Sequence, residues 1–288
     1  MATLRLATRS SAQATAQATT VARSLEAAHP GLAVELVFVD TLGDRRTDLP
    51  IHAIGGLGVF VKEVQRAVLL GDAHLAVHSA KDLPSVEADG LVLAAFCERR
   101  DPRDAMIGAA LADLGSGATV ATGSVRRRAQ LSAVRPDLQF TELRGNIHTR
   151  LAKIPDAGAI VMAVAALQIL DLVDRIAEVL APDRFVPSPG QGCVAVECRA
   201  EDRATVQLLD AIDHRESRAA VEAERAFLAE LGSGCSLPVG AHATSGVLTG
   251  FLANPSLDLH VTKRTELGDS PVRSAAGLAR ELRAAVGG

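Results

Sequence analysis

The chain has no Trp and no Tyr, and only seven Phe in 288 residues. Proteins that bind single-stranded nucleic acid without sequence preference stack bases on aromatic side chains, so that class is excluded. A basic excess is also missing. The formal net charge is −4, which argues against a nucleic-acid partner held by the whole surface. Long apolar runs are lacking as well. Residues 157–170 carry no charge but fall short of the roughly 20 apolar residues a bilayer core needs. Residues 231–257 are uncharged but rich in Gly, Ser, Thr and Pro. Arg5 and Arg9 sit where a signal peptide needs its apolar stretch, so a cytoplasmic protein is expected, with no membrane partner. Cysteine is scarce: Cys97, Cys193, Cys198 and Cys235 lack paired metal-type spacing and read as reduced thiols. The eight His show no HxH or HExxH spacing, so no metal site is predicted.

What is present is a core-forming share of Ala, Val and Leu within 48% hydrophobic residues. This length corresponds to two or three domains at roughly 100–200 residues each. Lys occurs only at 62, 81, 153 and 263, so 26 of the 30 basic residues are Arg.

The first two hundred residues alternate strand and helix patterns. Strands are predicted at 4–7, 32–39, 74–77 and 91–96, with helices over 11–28 and 59–70. This order implies a mostly parallel sheet covered by helices. Asp101-Pro102-Arg103-Asp104 breaks the pattern, and a second α/β unit follows. Its strands are expected at 105–109, 119–121, 138–141 and 159–163, and its helices at 124–134 and 146–154. A second break spans 187–192, after which 194–198 reads as a strand able to return to the first sheet. A helical pattern over 203–231 restarts near Asp213, and a tail of short strands ends in a helix at 273–286. The expected fold is α/β, with two hinged lobes and a small C-terminal α+β domain. The division is residues 1–98 with 191–212, then 99–190, then 213–288.

Three strand-to-helix turns carry polar residues where open α/β sheets bind ligands. The first holds Arg9 and Ser11. The second is His78-Ser79-Ala80-Lys81-Asp82, where a carboxylate acid/base stands beside a cation; it also reads as a solvated turn. The third is Thr122-Gly123-Ser124-Val125-Arg126-Arg127, at a helix start that suits anions. Arg144-Gly145-Asn146, with Arg150 beyond it, repeats that design. Residues 121–153 are locally +5, from seven basic and two acidic residues. Forked guanidiniums there match carboxylates, although a solvated basic face or a nucleic-acid patch would share the charge. Gly55-Gly56-Leu57-Gly58 lacks the P-loop Lys-Ser/Thr and reads as a lid or plain loop. Cys235 lies on a Gly-flanked loop, where a thiol is accessible.

In order along the chain stand ATRSS, GVFVKE, HSAKDLP, ERRDPRDA, TGSVRR, LRGNIHTRL, PGQGCVAVECR, AERAFL and GSGCSLPVG. Together these segments resemble the porphobilinogen deaminase (hydroxymethylbilane synthase) family. The resemblance implies two lobes of the periplasmic-binding-protein type and a third domain bearing a Cys loop. It implies a transferase of tetrapyrrole and heme biosynthesis that joins four porphobilinogens head to tail with loss of ammonia. The primer would be a dipyrromethane cofactor held by a thioether to Cys235, and water would release the linear tetrapyrrole. Asp82 would be catalytic. Lys81, Ser79, Thr122, Ser124, Arg126, Arg127, Arg150 and Gln191 would bind the cofactor. Arg9, Ser11, Arg144 and Asn146 would bind substrate. A monomer is expected, handing its product to uroporphyrinogen-III synthase. The sequence departs from the family pattern at Ala53, Leu57, Gly123 and Ile169. A diverged paralogue that binds a pyrrole or other carboxylate without completing four additions is therefore the alternative.

Overall fold

The computed structural model describes residues 2–41, 58, 60–232 and 237–287. Cys235 and the glycine-loop positions 53–57 lie outside the described residues. The chain forms two compact units, residues 1–100 with 193–219 and residues 101–192 with 220–288.

The first unit holds a five-stranded sheet. Its strands are β1 (Ala2–Thr8), β2 (Leu32–Phe38), β3 (Leu75–Ser79), β4 (Leu91–Phe96) and β10 (Val194–Arg199). Their order is β2-β1-β3-β10-β4. β1 pairs parallel with β2 and β3, whereas β10 runs antiparallel to β3 and β4. The strand after the second break therefore does return to the first sheet. Helix α1 (Ala12–Ala28) packs Ala18, Val21, Ala22 and Leu25 on one face. Helix α2 (Lys62–Leu69) packs Val64, Ala67 and Val68 on the other. Both faces are covered, which explains why β3 and β4 read as near-continuous apolar runs.

The second unit repeats this plan. Its strands are β5 (Asp104–Ile107), β6 (Thr119–Ala121), β7 (Gln139–Thr141), β8 (Ala159–Ala163) and β9 (Glu178–Val179), in the order β7-β6-β8-β5-β9. β6 is parallel to β7 and β8, and β5 is the reversed strand. In both sheets the reversed strand follows directly on a break in the sequence pattern. Helices α3 (Val125–Val134), α4 (Ile147–Leu151) and α5 (Val164–Gln168) accompany this sheet.

Helix α6 (Arg203–Leu209) ends in a 3₁₀ turn, Asp210–Ile212, and α7 (Arg215–Glu230) begins beyond Asp213. The tail is an antiparallel sheet of β11 (Val239–Thr244), β12 (Val247–Ala253) and β13 (His260–Glu266), followed by α8 (Pro271–Ala285). Phe227 of α7 and Leu278 and Leu282 of α8 share a core with Leu248 and Leu252. Two α/β sheets and a small α+β tail are thus the observed fold class. Among the described residues no helix is long and apolar enough to cross a membrane.

Candidate functional site

In the first unit a pocket opens at the carboxyl ends of β1 and β3. The turn into α1 contributes Arg9, Ser11, Gln13, Ala14 and Gln17; Phe60 and Val61 precede α2; β3 and its following turn supply Val77, His78, Ser79 and Asp82. Ligands bind at this end of open α/β sheets because strands stop there and helix N-termini begin. Ser11 caps α1, its hydroxyl accepting the Ala14 N–H at 3.3 Å. The Arg9 guanidinium lies over the Phe60 ring, 4.1 Å from its centroid. This cation–π contact holds the guanidinium beside the pocket.

Asp82 ends a single 3₁₀ turn, Ala80–Asp82. The turn is anchored on both sides. Ala80 is buried and donates its N–H to the Cys193 carbonyl at 2.9 Å, and Leu83 is buried in turn. Asp82 itself is half-buried, and no hydrogen bond or ion pair joins its carboxylate to another described residue. Ser79 exchanges hydrogen bonds with Gln17 at 3.0 and 3.2 Å. The structure thus brings Arg9, Ser11, Ser79 and Asp82 to one pocket. Lys81 lies on the same turn, half-buried.

The remaining described site candidates lie in the second unit. Thr122 follows β6 and accepts the Ser124 N–H at 3.2 Å, and Ser124 caps α3 by accepting the Arg127 N–H at 3.4 Å. Arg126 and Arg127 then point into a buried cluster around Asp104, which is 1% exposed. Arg126 Nη1 is 2.8 Å from Asp104 Oδ2, and Arg127 Nη2 donates to Oδ1 at 2.7 Å. Gln191 Nε2 donates to the same Oδ1 at 2.8 Å and to the Pro102 carbonyl at 2.7 Å. Burial alone would push the Asp104 carboxyl up, but the charges and hydrogen bonds of Arg126 and Arg127 outweigh it. They hold it well below the usual carboxylate range. Two guanidiniums share one carboxylate, so these three side chains keep a net positive charge.

Arg144-Gly145-Asn146 has a local explanation. Gly145 has φ +117°, and a Cβ there would come within 2.7 Å of Thr149. Asn146 caps α4, accepting the Thr149 N–H at 2.9 Å, and its side chain is exposed. Arg150 Nε donates to the Gly145 carbonyl at 2.7 Å. Other arginines of the basic stretch are engaged internally: Arg128 with Glu142 at 3.2 Å and Arg135 with Asp137 at 2.8 Å. The local +5 is therefore partly a set of structural ion pairs. At Gly123, a Cβ would stand 3.1 Å from the Leu143 carbonyl oxygen and 3.2 Å from Glu142 Oε2.

Sequence reasoning missed two buried acids. The sequence pattern presents Asp104 only as part of a turn. The pattern presents Glu197 only as part of the strand at 194–198, yet it is buried against Gln65 and His78. The signal was an acid inside or opening an apolar strand, since a buried carboxylate must have partners.

Two family models cover the chain. "Porphobilinogen deaminase, dipyromethane cofactor binding domain" matches residues 4–207, and "Porphobilinogen deaminase, C-terminal domain" matches residues 218–284. Among curated relatives, the porphobilinogen deaminase of Roseiflexus sp. is 48% identical over 84% of this chain and 81% of its own length. That of Trichlorobacter lovleyi is 41% identical over 99% of this chain and 94% of its own. That of Thermobifida fusca is 45% identical over 94% and 84%, respectively. Among solved structures, a TRAP periplasmic solute binding protein from Desulfovibrio salexigens is similar over 79% of this chain and 76% of its own, with TM-score 0.46 and 10% identity. With both of its domain models matched in order across nearly the whole sequence, the chain belongs to the porphobilinogen deaminase family.

Proposed function

We propose that the chain condenses four porphobilinogens head to tail, each losing ammonia, on a dipyrromethane bound through Cys235, and releases the linear tetrapyrrole by hydrolysis. The observation that carries this reading is the pocket in which Arg9, Ser11 and Asp82 meet at the ends of two parallel strands.

Porphobilinogen carries an acetate and a propionate beside its aminomethyl group. The Arg9 guanidinium, held beside Phe60, pairs with a substrate carboxylate, and Ser11 adds a hydroxyl beside it. Asp82 receives the pyrrole N–H and stabilises the positive charge that develops on the ring as ammonia departs. Its seat on a turn anchored by Ala80 and Leu83 keeps the carboxylate from following the charge, so it stabilises without reorganising. Lys81 extends from the same turn toward a second carboxylate.

The dipyrromethane also bears carboxylates, and the cluster of Arg126 and Arg127 around Asp104 fits them because it retains positive charge after its internal pairing. Thr122, Ser124, Arg150 and Gln191 complete the residues that would hold the group, with Ser79 and Lys81; Arg144 and Asn146 would meet substrate carboxylates. When bound, the group supplies a covalently held acceptor pyrrole. The three-domain division at residues 1–98 with 191–212, 99–190 and 213–288 accompanies this reading. So do a monomeric, cytoplasmic protein and transfer of the product to uroporphyrinogen-III synthase.

The test is Asp82→Asn in the cofactor-loaded protein. Turnover of porphobilinogen should fall by roughly 10²-fold or more, with circular dichroism and intact mass otherwise unchanged. Near-normal turnover would refute the role given to Asp82. Mass analysis of the product separates four additions from an arrested chain.

A further inference from the structure

His78 lines the same pocket but has no role in the reading above. Its side chain is 3% exposed, and Nε2 stands 3.0 Å from Glu197 Oε2, whose side chain is 2% exposed. Strand register creates this contact. Glu197 of β10 is paired with Ala76 of β3, and His78 shares the face of Ala76 two residues on, so the two side chains meet diagonally. Gln65 reaches them from α2 and donates Nε2 to both Glu197 oxygens at 3.0 Å.

The composition of this cluster is unusual for a core. A buried carboxylate is costly unless paired, yet among the described residues Glu197 contacts no Lys or Arg, only an amide and an imidazole. Despite that 3.0 Å approach, the buried Nε2 makes no hydrogen bond to a described residue. An imperfectly satisfied buried polar group beside a pocket is a mark of function. Glu197 favours the tautomer with hydrogen on Nε2 and leaves Nδ1 as the basic nitrogen. Among the described residues, the other ionisable side chains lining the pocket are Arg9 and Asp82, with Lys81 on the adjoining turn.

Resting on the function proposed above, we infer that His78 is a second proton-handling residue of the pocket and Glu197 its positioning residue. The reaction needs one. The C–N bond of the aminomethyl group breaks, and its electron pair leaves with ammonia. The bound group would supply the free α-carbon at which the new C–C bond forms, and a residue of the chain must then accept the proton displaced from that carbon. Asp82 is then occupied by the ring N–H of the cation. Nδ1 of His78 takes the α-proton, the C–H electron pair restores the pyrrole ring, and the proton passes on to ammonia as ammonium. Charge and atoms balance with no further reactant.

The experiment uses the holoprotein, its cofactor confirmed by intact mass, in three variants: Glu197→Gln, His78→Ala and Asp82→Asn. Glu197→Gln keeps the shape and removes the charge. It should lower kcat roughly 10- to 100-fold with KM within about twofold. His78→Ala should lose at least as much, and added imidazole should restore part of it. Independently of activity, ¹⁵N-histidine NMR should show neutral His78 with hydrogen on Nε2 in the parent protein, and Glu197→Gln should erase that preference. A folded, loaded Glu197→Gln with kcat within about twofold of the parent would overturn the inference, as would a parent tautomer with hydrogen on Nδ1. Asp82→Asn tells the two readings apart. If it is inactive while Glu197→Gln is normal, only this inference fails; if Asp82→Asn is also normal, the site assignment itself fails.

Discussion

Asp104 is withdrawn from water, and both of its guanidinium partners are nearly as buried. Removing the carboxylate leaves two uncompensated cations in a low-dielectric site, at a cost of about 3–5 kcal/mol. Its depressed folded-state value sets the pH dependence. A group held below its unfolded value of roughly 3.9 adds stability in full above that pH and loses it as the pH falls further. The urea midpoint of the parent protein should therefore drop steeply below about pH 4. Asp104→Asn should be less stable at pH 7 and flatter in that acid range. Equal slopes in the two proteins would show that Asp104 does not carry the acid sensitivity. Residues like this are hard to read from sequence. Arg126 and Arg127 stood out as an Arg pair at a helix start, but their partner lies 22 and 23 positions back and Gln191 a further 64 positions on. Asp82 and Ser11 were legible because their chemistry is local: a strand end, a tight turn, a helix cap.

Elements were easier to read than their ends. The helix expected over 11–28 is α1 with Ser11 as cap, and the one over 124–134 is α3 with Ser124 as cap. Those hydroxyls satisfy N–H groups the first turn cannot. The helix expected over 59–70 begins later, at Lys62, because Gly58 with φ +99° places its carbonyl to accept the Val61 and Lys62 N–H groups. The one over 146–154 stops at Leu151, short of Pro155. The expected restart near Asp213 has a tertiary cause. Its carboxylate accepts the Phe96 N–H at 2.8 Å and Arg218 Nε at 2.7 Å, so the chain is fastened to β4 before α7 starts. Packing is close where α7 meets β12. A Cβ on Gly250 would approach the Phe227 ring to 2.7 Å. Gly250→Ala should therefore cost about 1–3 kcal/mol by overpacking, seen as a lower melting temperature. Phe227→Leu in the same chain should return part of that loss, since neighbouring substitutions are not additive. Additive losses would place the strain elsewhere.

At the scale of the whole molecule, the scarce residue types noted first become informative. The missing Trp and Tyr fit a site built on charge, with Phe60 serving as a platform for Arg9. Three of the four cysteines lie among the described residues. Burial pushes the Cys97 and Cys198 thiols up to about 11, and Cys193 is buried with its thiol directed to the Cys97 carbonyl at 3.4 Å. Thiols held protonated are poor nucleophiles, and Cys193 and Cys198 are also buried while Cys97 is half-buried. These three should resist an aromatic disulfide reagent in the folded protein near neutral pH, and all three should react once it is unfolded. Cys235 should remain silent even then, because a thioether is not a thiol. Protein from cells that make porphobilinogen should thus give three reactive thiols on unfolding and an intact mass raised by the dipyrromethane. Cys235→Ser should give the same three thiols and the mass of the bare chain. Four thiols in an unfolded protein that still carries the added mass would move the attachment off cysteine altogether. Three thiols in a Cys235→Ser chain that still carries it would place the attachment on a residue other than Cys235.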